Sequence, residues 1–478
     1  MVRPRLAPAT TIDGFTLETV VHHGSMALLW SVTHPDHPGP LLMKLPRLFE
    51  GEDPATIVSF EMEQMILPRL SGPHVPRCIA IGDFTRQPYI VMERVPGASL
   101  YGRLEALPRP IEEVVETGIA VATALDAVHR QHVVHLDLKP SNVILRPDGV
   151  AVLVDFGLSR HDQLPDLMEE EFRLPYGTAP YMAPEQVMRI RDEPASDLFA
   201  LGAMLAFFTT GVRPFGDPQR LANLRRRLWR DPVPPRALRP DCPPWLQEVI
   251  LRCLEVEPRS RYASAAQLAF ALRHPEQVPL TARAAKLRRD GWAAVLRRRF
   301  NPAWQPQLRR PSLAGALAAA PIIAVAIDLT DQPPALAEAL RATVGHVLAT
   351  VPGARLACLN VLRQNRIAPD QSLDPEGHNK HLQRLAELRH WAAPLGLAEA
   401  RVTFHVLEAV SPADALLDYL RQNPVDHVVL GARTGSLRRK LLGSVSGEVA
   451  EKAPCTVTVV RPGQRGVPAE PPPPRHPA

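Results

Sequence analysis

One stretch constrains this 478-residue chain more than any other. It reads Val133-Val-His-Leu-Asp-Leu-Lys-Pro-Ser-Asn142, then an apolar run, the turn Arg146-Pro-Asp-Gly149, a second apolar run from Val150 to Val154, and Asp155-Phe-Gly157. Two short apolar runs around a Pro-Asp-Gly turn predict a β-hairpin. Such a hairpin brings Asp137, Lys139 and Asn142 close to Asp155. Two carboxylates, a carboxamide and an ammonium converging on one point suit phosphoryl transfer, which needs little covalent help and much positioning and charge neutralisation.

At these residues the chain resembles the eukaryotic-type protein kinase family in its bacterial serine/threonine branch, over about residues 12–273. The resemblance implies an α+β bilobal kinase fold working with ATP and Mg²⁺ on protein hydroxyls. Asp137 then orients the substrate hydroxyl and accepts its proton, and Lys139 neutralises the transferred phosphoryl group. Asn142, five residues after Asp137, joins Asp155 in holding Mg²⁺, since carboxylate and carbonyl oxygens are the hard ligands magnesium prefers. Leu41-Leu-Met-Lys44 matches the lysine that grips the α and β phosphates, and Glu63 its ion-pair partner. Tyr89 to Val95 matches the last strand of the first lobe and the hinge. Met92 is the gatekeeper there, and the backbones of Glu93 and Val95 meet the adenine edge. Val21, Gly24 and Leu29 frame the loop over the phosphates. Glu185 is expected to pair with Arg261, and Asp197 to brace the catalytic loop. Taken singly, Lys44 reads as a solvated strand-end lysine and Asp137 or Gly157 as a turn residue; their joint order and spacing carry the resemblance. Only six of the 55 Lys+Arg residues are lysine, and two of the six stand where this chemistry uses lysine.

Three departures bear on activity. The phosphate-covering stretch Val21-His-His-Gly-Ser-Met-Ala-Leu-Leu29 keeps one glycine where the family has three, which narrows the ways backbone N–H groups can approach phosphate. Leu42 replaces a small residue beneath adenine. Leu136 stands in His135-Leu-Asp137 where an arginine commonly clamps a phosphorylated activation loop. Residues Arg160 to Gly177 contain no Ser or Thr but do contain Glu169-Glu-Glu171, so activation-loop phosphorylation is not the expected switch. Thr178 reads as part of the substrate pocket. These departures leave a second reading open, a pseudokinase scaffold that signals through partner and nucleotide binding.

From Pro321 onward, apolar strands alternate with helical patterns: 322–328, 354–361, 401–408, 425–431 and 456–460, with helices between. Five strands joined by crossover helices predict an α/β doubly wound parallel sheet. Ile322 to Asp328, Val428 to Gly435, Leu441 to Ser446 and Ala453 to Val460 resemble the universal stress protein family, which implies strand order 3-2-1-4-5. By that resemblance Gly431, Gly443 and Ser444 contribute to a phosphate cradle at a helix N-terminus, with one loop residue fewer than ATP-binding members have. Asp328 faces the adenine or ribose side, its plainer reading being a strand-end turn residue. A second nucleotide in this domain and a homodimer through the edge strand Thr456 to Val460 are expectations of the same kind.

The domains are expected at 12–273 (kinase), 274–320 (a basic linker with one short helix), 321–462 (stress-protein-like) and 463–478 (a Pro-rich disordered tail). In the linker, Trp292, Val295, Leu296 and Phe300 recur near helical spacing beside Arg297 to Arg299; packing of that stripe on the protein's own domains is expected, with membrane-surface binding as the second reading. No recognition motif accompanies the basic charge, so no nucleic-acid partner is expected. The start MVRPRLAPAT lacks an apolar h-region. Leu313 to Ile327 is short of the roughly 20 residues of a membrane span. Five scattered cysteines without a CxxC pair argue against a disulfide framework and for the cytoplasm.

Overall fold

The computed structural model describes residues 7–24, 27–47, 54–84, 87–172, 174–300, 321–330, 333–351, 353–364, 379–398, 401–432 and 444–461. The chain divides into two compact units, Met1–Ala319 and Ala320–Ala478.

The first unit opens on an antiparallel sheet of β1 (Thr11–Ile12), β2 (Phe15–His23), β3 (Ala27–His34), β4 (His37–Pro46), β5 (Cys78–Ile81) and β6 (Ile90–Glu93), in the order β1-β2-β3-β4-β6-β5. The two-residue period of a strand sorts β4. Leu41, Met43 and Leu45 enter a core with Leu17, Trp30 and Val91, while Leu42 and Lys44 take the other face. Helix α1 (Pro54–Ile66) follows, buried along most of its length down to Glu63 and Gln64. Gln64 explains its own burial: its amide donates to the carbonyls of Gly82 (2.8 Å) and Tyr89 (3.0 Å).

The remainder of this unit is mainly helical. Helix α2 (Ile111–His129) buries Val114, Thr117, Val121, Leu125 and Val128, the stripe that a 3.6-residue period places on one side. Around it lie the short strands β7 (Ala98–Ser99), β8 (Val133–Val134), β9 (Val143–Leu145), β10 (Ala151–Leu153) and β11 (Arg160–His161). Strands β9 and β10 form the expected hairpin, with Val143 opposite Leu153. The helix Ala195–Thr210 is buried on nearly every side and ends at Gly211, which adopts φ 74°, the left-handed cap that glycine accepts without strain.

The linker helix forms over Trp292–Arg299, but the stripe expected to pack does not. Trp292 is 77% exposed and Phe300 72%. Charged side chains make the contacts instead, because carboxylates on the unit's surface face them: Lys286 Nζ reaches Asp231 (2.6 Å), and Arg283 Nε reaches Glu248 (2.9 Å).

The second unit is a five-stranded parallel sheet of β12 (Ile322–Ala326), β13 (Arg355–Arg363), β14 (Val402–Ala409), β15 (Val425–Gly431) and β16 (Thr456–Val460). Its order β14-β13-β12-β15-β16 is the expected 3-2-1-4-5. Central β12 is buried from Ile322 through Val325 without alternation, as a strand covered on both faces must be. Helices Pro334–Thr350, Lys380–Ala392, Pro412–Gln422 and Ser444–Lys452 make the crossovers. Among the described residues no helix is long and apolar enough to cross a membrane, and Ile322–Ala326, within the apolar run ending at Ile327, is a strand.

Candidate active site

The hairpin, β4 and α1 bring the marked residues together. Lys44 Nζ pairs with Glu63 and donates to Asp155 Oδ1 at 2.9 Å. Burial would lower the Lys44 ammonium, but the carboxylates of Asp155 and Glu63 hold it above the usual lysine range. Burial pushes Glu63 up, with Lys44 opposing. Burial would raise Asp155 too, yet Lys44 takes it down to about 2. Asp155 adopts φ 69°, a conformation a non-glycine residue keeps only where its surroundings fix it.

Gly157 closes the same joint. A side-chain carbon there would come within 2.2 Å of Ser59 Oγ and 3.0 Å of the Ser59 carbonyl. The hairpin's end and α1 therefore meet at a distance that only glycine permits. The Phe156 N–H, beside it, donates to Glu63 Oε1 (3.4 Å).

Asp137 lies across the hairpin and is 6% exposed. Its Oδ2 accepts from Lys139 Nζ at 2.6 Å, and its Oδ1 from Thr178 Oγ1 (2.7 Å) and Thr178 N–H (2.9 Å). Asn142 turns its Nδ2 onto the Asp137 carbonyl (3.0 Å) and Oδ2 (3.3 Å), so the oxygen it can offer a hard cation is Oδ1. Asp197 accepts from the N–H groups of His135 and Leu136, each at 2.8 Å, and bonds His129 Nε2 at 2.8 Å. Burial opposes its charge, but the His129 hydrogen bond holds its carboxyl below the usual range. It braces the loop as expected. Glu185 and Arg261 form a bidentate pair at 2.6 and 2.8 Å, both side chains almost fully buried.

At the hinge, Met92 is buried. Glu93 N–H donates to the Arg77 carbonyl (3.0 Å) and Arg94 N–H to that of Pro40 (2.9 Å). Among the described residues the Val95 N–H has no backbone partner. The Gly24 N–H donates to the Ala27 carbonyl at 3.0 Å; residues 25 and 26 are outside the described set. Val21 is 43% exposed, and Leu29 sits opposite Lys44 in the β3–β4 ladder.

In the segment after Asp155 a carboxylate makes the ordering contacts. Asp166 caps the short helix Leu167–Glu171, accepting from Glu169 N–H (3.2 Å), and is bound by Arg191 Nε (2.7 Å). Two further supports escaped the sequence reading. Gln186 Nε2 donates to the Leu136 carbonyl (2.7 Å), and buried Arg227 donates to the carbonyls of Met182 and Ala179, the latter at 2.7 Å. Arg227 is the last of three consecutive arginines, and nothing local marks which of the three turns inward.

In the second unit Asp328 and Gly431 follow the ends of the paired strands β12 and β15, where Ala326 stands opposite Leu430. Asp328 is exposed, and its Oδ1 accepts from Thr330 N–H at 3.1 Å, the geometry of a turn. Gly431 makes room for helix Pro334–Thr350: a side-chain carbon there would lie 3.1 Å from Leu336 Cδ2. Ser444 begins the last helix, and Gly443 lies outside the described residues.

Residues 46–275 match the model of the protein kinase domain, and residues 321–461 that of the universal stress protein family. The first match begins beyond Lys44, whose correspondence rests on its pairing with Glu63. A probable serine/threonine-protein kinase of Clostridium perfringens is 29% identical over 210 residues, 44% of this chain and 30% of the relative. PknH of Mycobacterium tuberculosis is 29% identical over 263 residues, 54% of this chain and 41% of the relative. PknL of Mycobacterium bovis is 31% identical over 227 residues, 47% and 56%. The chain thus spans between 30% and 56% of the length of these relatives. The crystal structure of the Mycobacterium tuberculosis PknI kinase domain superposes with a TM-score of 0.45 at 26% identity, covering 57% of this chain and 100% of that one.

Proposed function

Residues 46–275 are a protein kinase domain and residues 321–461 a universal stress protein domain, and from that premise we propose that the chain is a serine/threonine protein kinase. It transfers the γ-phosphate of ATP to a protein hydroxyl. The observation that carries this reading is the charged set at one cleft, Lys44 with Glu63 and Asp155, and Asp137 with Lys139.

Asp137 is the residue that takes the hydroxyl proton, with Lys139 beside it to offset charge on the transferred group. Lys44, tied to α1 through Glu63, grips phosphate oxygens. The donor set fits Mg²⁺: Asp155 is held anionic and Asn142 has its nitrogen occupied elsewhere, which leaves hard oxygens for the metal. Bound there, the ion would neutralise developing charge on the phosphates. Glu93 and Val95 supply backbone groups to the adenine edge, and Val21, Gly24 and Leu29 cover the phosphates.

The boundaries 12–273 and 321–462 mark the two functional parts, with 274–320 between them and 463–478 beyond. The second part serves as sensor or assembly module, binding a nucleotide through Asp328, Gly431, Gly443 and Ser444 and pairing as a homodimer. All five cysteines are free, which supports a reducing cytoplasm as the compartment.

Incubation of the full chain with radiolabelled ATP and Mg²⁺ tests the reading. Label should pass to the chain or to added protein, and Asp137→Asn should remove it by a factor of about 100 to 10,000 without changing the thermal melt. Labelling that survives Lys44→Met would overturn the assignment. The second reading, a scaffold without transfer, draws on the single-glycine loop; nucleotide binding with no transfer by wild type would favour it.

A further inference from the structure

Segment 281–300 turns Arg283, Lys286, Asp290 and Arg298 toward the rest of the unit and leaves four large apolar side chains outward. Gln247 Nε2 donates to the carbonyls of Arg283 (2.7 Å), Ala284 (3.1 Å) and Lys286 (2.9 Å). Glu248 accepts from Thr281 Oγ1 and Arg283 Nε, both at 2.9 Å. Lys286 bridges Asp231 and Asp290, and Arg298 pairs with the same two aspartates. These contacts fix the helix Trp292–Arg299 and leave one ridge uncovered. Trp292 is 77% exposed, Leu296 39% and Phe300 72%, at intervals of four residues, with Leu287 56% exposed in the turn before them.

Four cations accompany the ridge. Arg288, Arg289, Arg297 and Arg299 are exposed, and none has a carboxylate partner among the described residues. Arg289 donates to the Pro214 carbonyl (3.2 Å), and the Arg299 guanidinium lies over the rings of Trp229 and Phe300. Asp290, the segment's one carboxylate, is thus spent on Lys286 and Arg298, and the segment's exposed charges are all positive.

We propose that this ridge is a membrane-surface contact for anionic phospholipid. Trp292, Leu296 and Phe300 enter the boundary between headgroups and acyl chains, where an indole is favourably placed, and the arginines meet lipid phosphates. A single weak apolar signal binds a bilayer marginally; an apolar ridge joined to a basic patch supplies the two signals that reversible anchoring needs. A protein partner fits less well. The four exposed apolar side chains offer on the order of 500 Å², against the roughly 800 Å² that each partner of a stable complex contributes. A bilayer requires no shape complementarity to a two-turn helix.

The test is flotation of the full chain with vesicles of phosphatidylcholine alone, or mixed with an equal amount of phosphatidylglycerol. The protein should float with the anionic vesicles and not with the neutral ones, less so as salt rises. Trp292→Ser with Phe300→Ser should lower partitioning at least about tenfold. Arg297→Gln with Arg299→Gln should lower it about tenfold and weaken the salt dependence. Both double variants should keep the wild-type melt and ATP labelling, which separates lost docking from lost fold. Failure of wild type to float with anionic vesicles would overturn the proposal, as would flotation unchanged in either variant. Light scattering that shows a dimer dissolved by the ridge substitutions would overturn it in favour of a second copy, and RNA binding lost with the arginines but without flotation would overturn it in favour of nucleic acid.

Discussion

Asp155 and Asp328 each stand two residues beyond an apolar strand, β10 in the first unit and β12 in the second, and their surroundings differ. Asp155 is met by a lysine from a different sheet, adopts a left-handed backbone and is held strongly anionic. Asp328 accepts the N–H of a residue two positions along and stays exposed. A carboxylate that must present charge at a fixed point has to be gripped from elsewhere in the fold, because local turns satisfy it without aiming it. Position at a strand end does not by itself aim a carboxylate, whereas a partner from a distant element does.

Exchanging the two carboxylates for amides is the sharpest way to break that comparison. Asp155→Asn should reduce phosphotransfer by at least about 100-fold, while Asp328→Asn leaves it unchanged in the same radiolabel assay. Next in size is a loss of stability. Glu185→Gln leaves Arg261 buried against a neutral partner and should cost about 3 to 5 kcal/mol, read as a lowered denaturation midpoint of the first unit. No equally buried ion pair occurs among the described residues of the second unit.

Gly157→Ala drives a carbon against Ser59 and should push α1 away from β4. A fall of about tenfold in transfer rate is expected, with Kd for ATP, measured by calorimetry, rising in parallel because Lys44 loses Glu63. The acid response should differ between the units as well. A carboxyl held below its unfolded value stabilises above that value, and the contribution is lost as pH falls through the folded one. For Asp155 the window runs from about pH 4 down to about pH 2. Because its side chain is 44% exposed, solvent screens part of the effect. Circular dichroism during acid titration should show Asp155→Asn flattening this part of the curve.

Much of this was legible in the chain because the informative residues are close in sequence. The run from His135 to Gly157 carries its own hairpin, so Asp137, Asn142 and Asp155 announce their meeting. The strand order of the second unit follows from the alternation of strands and helices together with the match to a known pattern. What escaped depends on distant surfaces. The linker's apolar stripe reads as core-facing until Asp231 and Glu248, far back in the chain, are seen to claim Lys286, Arg298 and Arg283. Gln186 supports the loop around Asp137 through the Leu136 carbonyl, and Arg227 supports the segment after Thr178 through the Ala179 and Met182 carbonyls; backbone carbonyls carry no sequence signal. The Thr178 hydroxyl bonded to Asp137 gives the substrate-pocket reading of that residue a concrete geometry.

The close approach of Gly157 to Ser59 makes these two positions a single genetic unit. A substitution that adds atoms at 157 can be relieved only where the crowding atoms are, so suppressors of Gly157→Ala should arise at residue 59. Ser59→Gly removes the hydroxyl at 2.2 Å and leaves the carbonyl at 3.0 Å, which predicts partial restoration. Across homologues the sizes of the two residues should vary inversely, a signature that needs no assay to look for.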